Sequence, residues 1–418
     1  MPRLCRQRAR QPGPAPGQGS SRRIAMIEID AGNGPHPLGM SPQEFLRGYW
    51  QKQPLLIRNA FPGFESPLQP EDLAGLACED GVLARLIEHD KANDAWRVRH
   101  GPFADSDFPA LPDHDWTLLV QDMDKWDADI RALLASFTFI PRWRIDDVMI
   151  SFAAAGGSVG AHVDQYDVFL LQAQGRRRWQ IDAGKNPPLG FRADVELKLL
   201  REFAPTHDWV LEPGDMLYLP PGVPHHGVAV DHCLTFSVGM RAPSAAELLG
   251  DFVDTLAADA PEELRFGDAD LVPPKDAYEI DAAAMARAVE ALNLLRMRDP
   301  DRLGDWFGGF ITTYRNAVEP AADEAPRPRI EVEWDLAHGA SLQRHPWSRM
   351  AWRKATKAAR LYAGGRVLAM PVRDAQRLAA AEQVDGGLYE GLGEAGRDAV
   401  FELLEAGHYR LQLADEDA

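Results

Sequence analysis

Two residues of the chain, His162 and Asp164, have the types and the spacing of a pair of metal ligands. Successive side chains of a β-strand point to opposite faces, so these two would share one face while Val163 points away. A third ligand is available in PGVPHHG, where His225 or His226 follows a proline-rich turn. Two histidines and a carboxylate that leave coordination positions open are typical of non-haem Fe(II) oxygenases.

Arg177 is the second residue with a chemical implication. If residues 169 to 180 form one strand, Arg177 shares a face with Phe169, Leu171 and Ala173, and it is the only charge on that face. A guanidinium removed from water is costly unless it meets an anion in good geometry. We therefore expect a carboxylate beside Arg177, either internal or belonging to a bound molecule.

The composition is that of a globular protein of more than one domain. The chain has 418 residues, of which 45% are hydrophobic and 26% charged, so we expect two or three domains. No apolar run approaches the length of a membrane span. The three cysteines, Cys5, Cys78 and Cys233, are isolated, which disfavours both disulfides and a thiolate metal site. We expect a reducing compartment, the cytoplasm.

Charge is distributed unevenly along the chain. The formal net charge is −18, although the first 25 residues contain six arginines and no acid. Residues 1–26 are also rich in proline, glycine and glutamine, and we expect a disordered basic arm. The acidic remainder would repel nucleic acid and attract a basic partner, so we do not expect direct nucleic-acid binding.

Turn residues and hydrophobic periodicity indicate the elements that must position these side chains. Ser41 and Pro42 predict the start of a helix, as does PEDLAGLA, and QPLLIRNAF predicts a first strand. From residue 147 onward, DVMISFAA, DVFLLQAQGRRRWQI, WVLEPGDMLYLPP, HGVAV and CLTFSVGM follow one another with turns between them. Short strands at this spacing are typical of a sandwich or barrel.

The last third of the chain reads differently. Helical spacing of Met285, Val289, Leu292 and Leu295 predicts a helical domain, followed by a linker at residues 319–331. Near the C-terminus, a helix and then a strand in DAVFELLEAGHYRLQL fit a winged-helix-like unit. Seven lysines and arginines and no acid lie between positions 344 and 366, but this basic run lacks the aromatic pattern of a base-stacking surface.

The segments MISFAAAGGSVGAHVDQYDVFLLQAQGRRRWQI and YLPPGVPHHG strongly resemble the JmjC-type ribosomal oxygenases, and in particular the bacterial branch that hydroxylates an arginine β-carbon in the sixteenth protein of the large ribosomal subunit. The resemblance implies an α+β protein with three domains. These would be a JmjC double-stranded β-helix, a cupin-like jelly roll, at 27–245, a helical dimerisation domain at 246–325 and a winged-helix-like domain at 330–418.

The same resemblance implies the residues of the active site. His162, Asp164 and His225 would bind Fe(II), Arg177 would hold the distal carboxylate of 2-oxoglutarate, and Ser151 would also contact this co-substrate. Dioxygen would be the second co-substrate, a ribosomal protein the substrate, and a homodimer the assembly.

Three other functions remain open at this point. A related JmjC enzyme could hydroxylate or demethylate a different protein target. A cupin-type metalloenzyme could bind zinc and water and make no use of 2-oxoglutarate, although it would have no need of Arg177. A winged-helix regulator with a degenerate barrel would bind duplex DNA with a steep salt dependence.

Overall fold

The computed structural model describes residues 27–414 apart from residues 33, 35, 259, 270, 274–275, 277, 295–298, 315–316 and 323–326. The predicted basic arm at residues 1–26 lies outside the described residues, as does Leu295 of the predicted helical stripe. Within the described part, no helix has the length and apolar character needed to cross a membrane.

Two β-sheets form the N-terminal part of the molecule. Their strands, β1 to β12, are Glu28–Asp30, Leu55–Arg58, Ala84–Asp90, Ala95–His100, Trp116–Val120, Ile145–Ala153, Val168–Gln174, Arg177–Ile181, His207–Leu211, Met216–Leu219, His225–Ala229 and Cys233–Met240. The larger sheet has the order β1-β2-β10-β7-β12-β6-β5-β3-β4, and the smaller has the order β11-β8-β9. The predicted order of strands after residue 147 is confirmed, but QPLLIRNAF supplies the second strand, because β1 precedes it and pairs with it in parallel.

Apolar side chains fill both sides of the larger sheet. Leu170 and Leu217 of that sheet pack with Trp179 and Ile181 of the smaller one, so a core lies between the two sheets. The opposite face is covered by α1 to α4, which are Pro42–Gly48, Pro70–Leu76, Met123–Trp126 and Ala128–Leu133. Short 3₁₀ turns occur at Asp105–Asp107, Leu134–Phe137 and Arg142–Arg144.

The start of α1 illustrates how the sequence specifies an element. Ser41 is the N-cap, as predicted, and its side chain accepts a hydrogen bond from the Glu44 backbone N–H. The Glu44 carboxylate accepts in return from the Ser41 backbone N–H, and Pro42 occupies the first helical position. This capping box satisfies two N–H groups that have no partner within the helix.

The single strand predicted for residues 169 to 180 is wrong, because a turn at Gly175 divides it between the two sheets. Gly175 has a φ of +62°, and a Cβ there would lie 2.0 Å from the His232 carbonyl oxygen, so only glycine fits. The turn changes the phase of the alternation. Arg177 consequently lies on the same side as Val168 and Leu170, and not with Phe169, Leu171 and Ala173.

The C-terminal part of the chain consists of a helical segment followed by a mixed C-terminal unit. The segment contains α5 to α7, at Ala245–Ala258, Ala282–Asn293 and Pro300–Thr313. The unit contains α8 to α11, at Arg329–Ala337, Val372–Ala380, Gly386–Glu390 and Glu394–Glu405, and β13 to β18, at Ser341–Arg344, Met350–Lys354, Ala359–Ala363, Arg366–Met370, Gln383–Asp385 and Tyr409–Gln412. It has its own hydrophobic core, which includes Leu342, Leu361, Val400 and Tyr409. The domain boundaries proposed above remain predictions.

Much of the basic run at 344–366 is folded into β14, β15 and β16. Arg349 pairs with Asp146, Arg353 with Asp301, and Arg360 with Asp305, so these cations stabilise packing within the molecule. The predicted linker at 319–331 is shortened at its end, because α8 begins at Arg329.

Candidate active site

Backbone pairing brings two histidines together at one side of the barrel. The His162 N–H donates to the His225 carbonyl and the His225 N–H to the His162 carbonyl, each at 3.0 Å. This isolated bridge is the only ladder contact at His162 within the described part of the chain, so the regular strand expected through His162 and Asp164 is absent. The bridge nevertheless holds the two imidazole rings with their centroids 4.2 Å apart.

Asp164 completes a three-residue cluster. Its Oδ2 lies 3.6 Å from His225 Nε2, and its Oδ1 lies 4.0 Å from His162 Nε2. The three candidate ligand atoms all lie within 4.8 Å of one another, so a single ion could contact all of them. His226 follows His225 on β11 and points into a separate cavity with His89 and Trp96. The geometry therefore favours His225 over His226 as the third ligand.

Hydrogen bonds orient both imidazoles of the cluster. The Nδ1 of His162 lies 3.0 Å from the Gly160 carbonyl oxygen, and the Nδ1 of His225 lies 2.9 Å from that of Val223. A carbonyl only accepts, so each Nδ1 carries the proton and each Nε2 presents its lone pair to the centre. Burial, with the nearby His162 adding to it, lowers the pKa of His225 to about 4 and keeps its ring neutral.

Arg177 is buried beside this cluster, with 2% of its surface exposed. Its Nη1 donates to Ser151 Oγ at 3.2 Å, its Nη2 lies 3.5 Å from the Gly227 carbonyl oxygen, and its guanidinium lies 5.1 Å from the Trp179 ring centroid. Its Nε has no hydrogen-bond partner, and none of the described carboxylates lies within 4.0 Å of the guanidinium. The internal carboxylate considered as its partner is therefore not found among the described residues, and burial lowers the pKa of the guanidinium.

Gly227 gives the guanidinium its space. A Cβ at Gly227 would lie 2.8 Å from Arg177 Nε and 2.7 Å from the Trp179 ring. The register of β11 against β8 places Gly227 opposite Trp179 and Ala229 opposite Arg177. The space for Arg177 and Trp179 of β8 is therefore left by the small residues Gly227 and Ala229 of β11.

A cavity of about 330 Å³ extends from the cluster along the inner face of the larger sheet. Its floor is formed by alternate residues of β6, which are Asp147, Met149 and Ser151, and of β12, which are Thr235, Ser237 and Gly239. Ser151 pairs with Thr235, and Met149 with Ser237. At about 3.3 Å of rise per residue, Asp147 lies roughly 13 Å from Ser151 along the strand. Tyr166 also lines the cavity, with 39% of its surface exposed.

The part of the cavity remote from Arg177 is acidic. Asp122, Asp146 and Asp147 line it, and the Asp122 N–H donates to Asp147 Oδ2 at 3.2 Å. Burial, together with the neighbouring carboxylates of Asp122 and Asp146, raises the pKa of Asp147 to about 7. Burial likewise raises the pKa of Asp122 to about 6. The pocket thus has a cation at one end and poorly solvated carboxyls at the other.

Sequence reasoning missed these carboxyls, although a signal for one of them was present. Asp147 is in phase with Met149 and Ser151 on β6, so the alternation that places Ser151 in the cavity places Asp147 there as well. Asp122 gives no such signal, because it lies outside regular structure in the left-handed region, with a φ of +57°.

Comparisons with known proteins agree with this architecture. A JmjC domain model matches residues 132–248, and a ROXA-like winged-helix model matches residues 294–410. The chain is 37% identical over 309 residues to the ribosomal protein uL16 3-hydroxylase of Escherichia coli, which covers 74% of this chain and 81% of that protein. It is 41% identical over 214 residues to a probable ribosomal oxygenase of Haemophilus influenzae, covering 51% and 52% of the two chains.

Solved structures show the same fold. The ribosomal oxygenase YcfD of Escherichia coli, in complex with cobalt and 2-oxoglutarate, matches with a TM-score of 0.76 and 34% identity, over 89% of this chain and 98% of that one. An X-ray structure of the same protein matches with a TM-score of 0.79. The fold class expected from the sequence, an α+β JmjC jelly roll with a winged helix, is confirmed.

The two adjacent histidines allow a matched test of the cluster. We expect His225→Ala to weaken Mn(II) binding by at least about 100-fold, because the ion loses a direct ligand. His226→Ala should leave the affinity within about threefold of the unmodified protein, since this ring lies outside the cluster. Titration of free Mn(II) by electron paramagnetic resonance measures both, and a larger loss in the His226 variant would contradict the assignment.

Proposed function

The chain belongs to the JmjC-type ribosomal oxygenases, and from this premise we propose that it hydroxylates the β-carbon of an arginine in ribosomal protein uL16. The proposed reaction uses Fe(II), 2-oxoglutarate and O2. One observation carries the proposal. A cluster of two histidines and one carboxylate lies in the same cavity as a buried arginine that has no carboxylate partner among the described residues.

The donor set of the cluster fits Fe(II). Two neutral imidazoles and one carboxylate form the facial arrangement that leaves positions open for a chelating co-substrate and for O2. In our proposal His162, Asp164 and His225 hold the iron, and the carbonyls of Gly160 and Val223 keep the two rings in the required tautomer.

The surroundings of Arg177 fit the distal carboxylate of 2-oxoglutarate. A guanidinium presents parallel N–H groups that match a carboxylate, and its Nε is unpartnered. We assign the Ser151 hydroxyl as a second contact to the same carboxylate, after Arg177, because its Oγ lies 3.2 Å from Arg177 Nη1. An enzyme that did not bind a dicarboxylate would have no use for a buried cation at this position.

When bound, the iron and 2-oxoglutarate together supply the oxidising chemistry that inserts one atom of O2 into a C–H bond, with succinate and CO2 as the other products. The protein must bind, orient and exclude water. An apolar wall beside Arg177 is formed by Val168, Leu170 and Trp179. This wall lowers the local dielectric and so strengthens the interaction of the guanidinium with a carboxylate.

The acidic end of the cavity supports a cationic substrate side chain. A guanidinium placed between Asp122 and Asp147 would donate charge-assisted hydrogen bonds to both carboxylates and would offset the cost of their burial. The Cβ of the same substrate arginine would then lie nearer the metal cluster, because the acidic end of the floor and Ser151 are separated along β6. Gly239 leaves room here, since a Cβ on it would lie 3.2 Å from Asp147 Oδ1.

We also propose a homodimer in the cytoplasm. Ile280, Met285, Val289 and Leu292 expose between 55% and 79% of their surfaces on and beside α6. An apolar groove of about 500 Å³ lies between α5 and α6, lined by Val253, Leu256, Ala257, Phe266, Ala288, Ala291 and Leu292. A second copy of the chain would cover an apolar area of this kind. The cytoplasm follows from a ribosomal substrate.

The reaction is tested with uL16 from the organism that encodes this chain, purified in unhydroxylated form. With Fe(II), 2-oxoglutarate and air, mass spectrometry should detect the addition of one oxygen atom to a single arginine. Arg177→Met should raise the KM for 2-oxoglutarate by about 10- to 100-fold while Mn(II) binding persists, because it removes only a charge-assisted contact.

Arg178→Met is the matched control for this experiment. Arg178 is the next residue of the same strand, but it faces outward and pairs with Asp208, so its loss should leave the KM for 2-oxoglutarate unchanged. Loss of Mn(II) binding in the Arg177 variant would show that the arginine supports the metal cluster. Oxidation of a residue other than arginine, or none at all, would overturn the proposed substrate.

Asp147→Asn should weaken substrate binding and stabilise the free protein above pH 7. The pKa of Asp147 is raised to about 7, against an ordinary value of about 4, so the charged form is disfavoured in the folded state. Stability is lost as the pH rises between these values, by at most about 4 kcal/mol, and asparagine avoids this loss because it carries no charge. Asparagine can still accept the bond from Asp122 N–H.

Two measurements check this prediction together. In the unmodified enzyme the KM for uL16 should fall as the pH rises from about 6 to about 8, because Asp147 acquires its charge in that interval. The charged groups that act on Asp147 are Asp122, Asp124, Asp146 and Lys125. The asparagine variant should have a higher KM without this fall and a higher Tm at pH 8. A variant with an unchanged KM would remove Asp147 from substrate recognition.

Dimerisation is tested by placing charge on α6. Val289→Asp combined with Leu292→Asp should convert a dimer to a monomer in sedimentation velocity, because carboxylates would be buried in an apolar interface. Val367→Asp is the control, since Val367 is 42% exposed on β16, away from the groove. A monomeric unmodified protein at micromolar concentration would exclude the proposed assembly.

A further inference from the structure

Two residues of the active-site cavity come from outside the barrel. Tyr314 and Ala317 line the cavity, although they follow α7 and lie some 70 residues beyond the last barrel strand, β12 at Cys233–Met240. Ala317 is exposed, while Tyr314 is half-buried and its hydroxyl donates to Glu247 Oε1 at 3.0 Å. The barrel alone therefore does not enclose the cavity.

One carboxylate connects this wall to the barrel. Asp146 lies at the start of β6, and it lines both the active-site cavity and a second, smaller cavity between the barrel and the C-terminal unit. Its Oδ1 lies 3.0 Å from Arg241 Nε and 3.0 Å from Arg349 Nη2. Arg349 belongs to the C-terminal unit, immediately before β14, so the contact joins residues that are 203 positions apart.

The same two arginines cap the end of α7. Arg349 Nη1 donates to the Tyr314 carbonyl at 2.5 Å, and Arg241 Nη1 donates to the Ile311 carbonyl at 2.7 Å. The last carbonyls of a helix have no partner within it and carry the negative end of the helix dipole. Two guanidinium groups at this end satisfy those carbonyls and hold the helix terminus in place.

Burial makes this junction sensitive to the loss of one member. The side chains of Arg241 and Arg349 are 2% and 10% exposed. Burial, together with the positive charge of Arg349, lowers the pKa of Arg241 to about 10. Each arginine thus depends on Asp146 and on a helix carbonyl, and removing one leaves a buried group without its partner.

The junction also divides the acids of the cavity into two kinds. Asp146 is neutralised by Arg241 and Arg349, whereas Asp122 and Asp147 have no arginine within 4.0 Å among the described residues. A substrate cation entering the cavity would consequently meet Asp122 and Asp147. Without Arg349, Asp146 would offer a third and competing position for that cation.

We propose that the segment after α7 builds one wall of the substrate cavity and that Arg349 of the C-terminal unit is the positioning residue that holds this wall in place, by joining Asp146 of the barrel to the Tyr314 carbonyl at the end of α7. This inference rests on the proposed function for its kinetic consequence but not for its structural one. Arg349 touches neither the metal cluster nor Arg177, so its effect should be confined to the protein substrate.

The test compares Arg349→Met with Arg353→Met. Arg353 also joins the C-terminal unit to α7, through Asp301 at 3.1 Å, but it contacts the first turn of the helix and not the end that leads to Tyr314. The KM for uL16 should rise at least about tenfold in the Arg349 variant and less than about twofold in the Arg353 variant. The KM for 2-oxoglutarate and the turnover of 2-oxoglutarate without uL16 should be unchanged in both.

A structural readout separates this inference from the proposed function. Hydrogen–deuterium exchange should become faster in the last turn of α7, at Ile311 and Tyr314, in the Arg349 variant only. Arg349→Lys should restore slow exchange in part, because lysine keeps one charged contact but cannot span both partners. Unchanged exchange in Arg349→Met would overturn the inference whether or not uL16 is the substrate.

A second variant guards against misfolding of the first. Ala317→Trp places a bulky side chain on the exposed part of the wall without removing a buried contact. It should raise the KM for uL16 at least about tenfold and leave Mn(II) and 2-oxoglutarate binding intact. An unchanged KM for uL16 in this variant would show that the wall does not contact the substrate. If the enzyme without substitutions fails to hydroxylate uL16, that result counts against the proposed function.

Discussion

The buried guanidinium of Arg177 is the constraint on which the rest of the active site depends. A charge in the interior is costly when no carboxylate meets it, and the described residues provide only the Ser151 hydroxyl, a distant carbonyl and the face of Trp179. The surrounding structure must therefore be stable enough to hold this arrangement without a ligand. The long antiparallel pairing of β6 with β12 and the strand pair of β8 with β11 supply that support from two different sheets.

The proposed metal-ligand cluster of His162, Asp164 and His225 depends on backbone pairing more than on regular strands. His162 lies in a single bridge, yet the two reciprocal hydrogen bonds to His225 fix the two Cα positions as firmly as a ladder would locally. The Asp164 carbonyl accepts a bond from the Gly222 N–H, which ties the same loop to the turn before β11. His162 and Asp164 lie on irregular backbone, and they converge with His225 of β11 because the loop is hydrogen-bonded at both ends of the H-x-D motif.

Much of this site could be predicted from the sequence, for reasons that differ by residue. The H-x-D spacing and the position of His225 after the turn are local features of the sequence. The burial of Arg177 was predicted correctly, but from the wrong face, because the alternation was continued through Gly175. A glycine that is required by a positive φ is a break in phase, and a parity argument has to restart after it.

Long-range contacts could not be predicted in this way. Neither the Asp146 to Arg349 pair nor the position of Tyr314 has a local signal, because each depends on how the C-terminal unit packs against the barrel. The apolar stripe of α6 was predicted, whereas its exposure was not, since periodicity identifies an apolar face but not what covers it.

The distribution of acids in the barrel finally separates those that stabilise the fold from those that are available for binding. Asp215 pairs with Arg58, and Asp167 is fully buried but accepts from the Tyr218 hydroxyl and from Gln51. Asp122 and Asp147 instead have raised pKa values, because burial is offset by few partners. Poorly compensated carboxyls in a cavity bind a cation more tightly, because part of their desolvation has already occurred during folding. The same argument applies with opposite sign to Arg177 at the other end, so the cavity is arranged to take an anion at one end and a cation at the other.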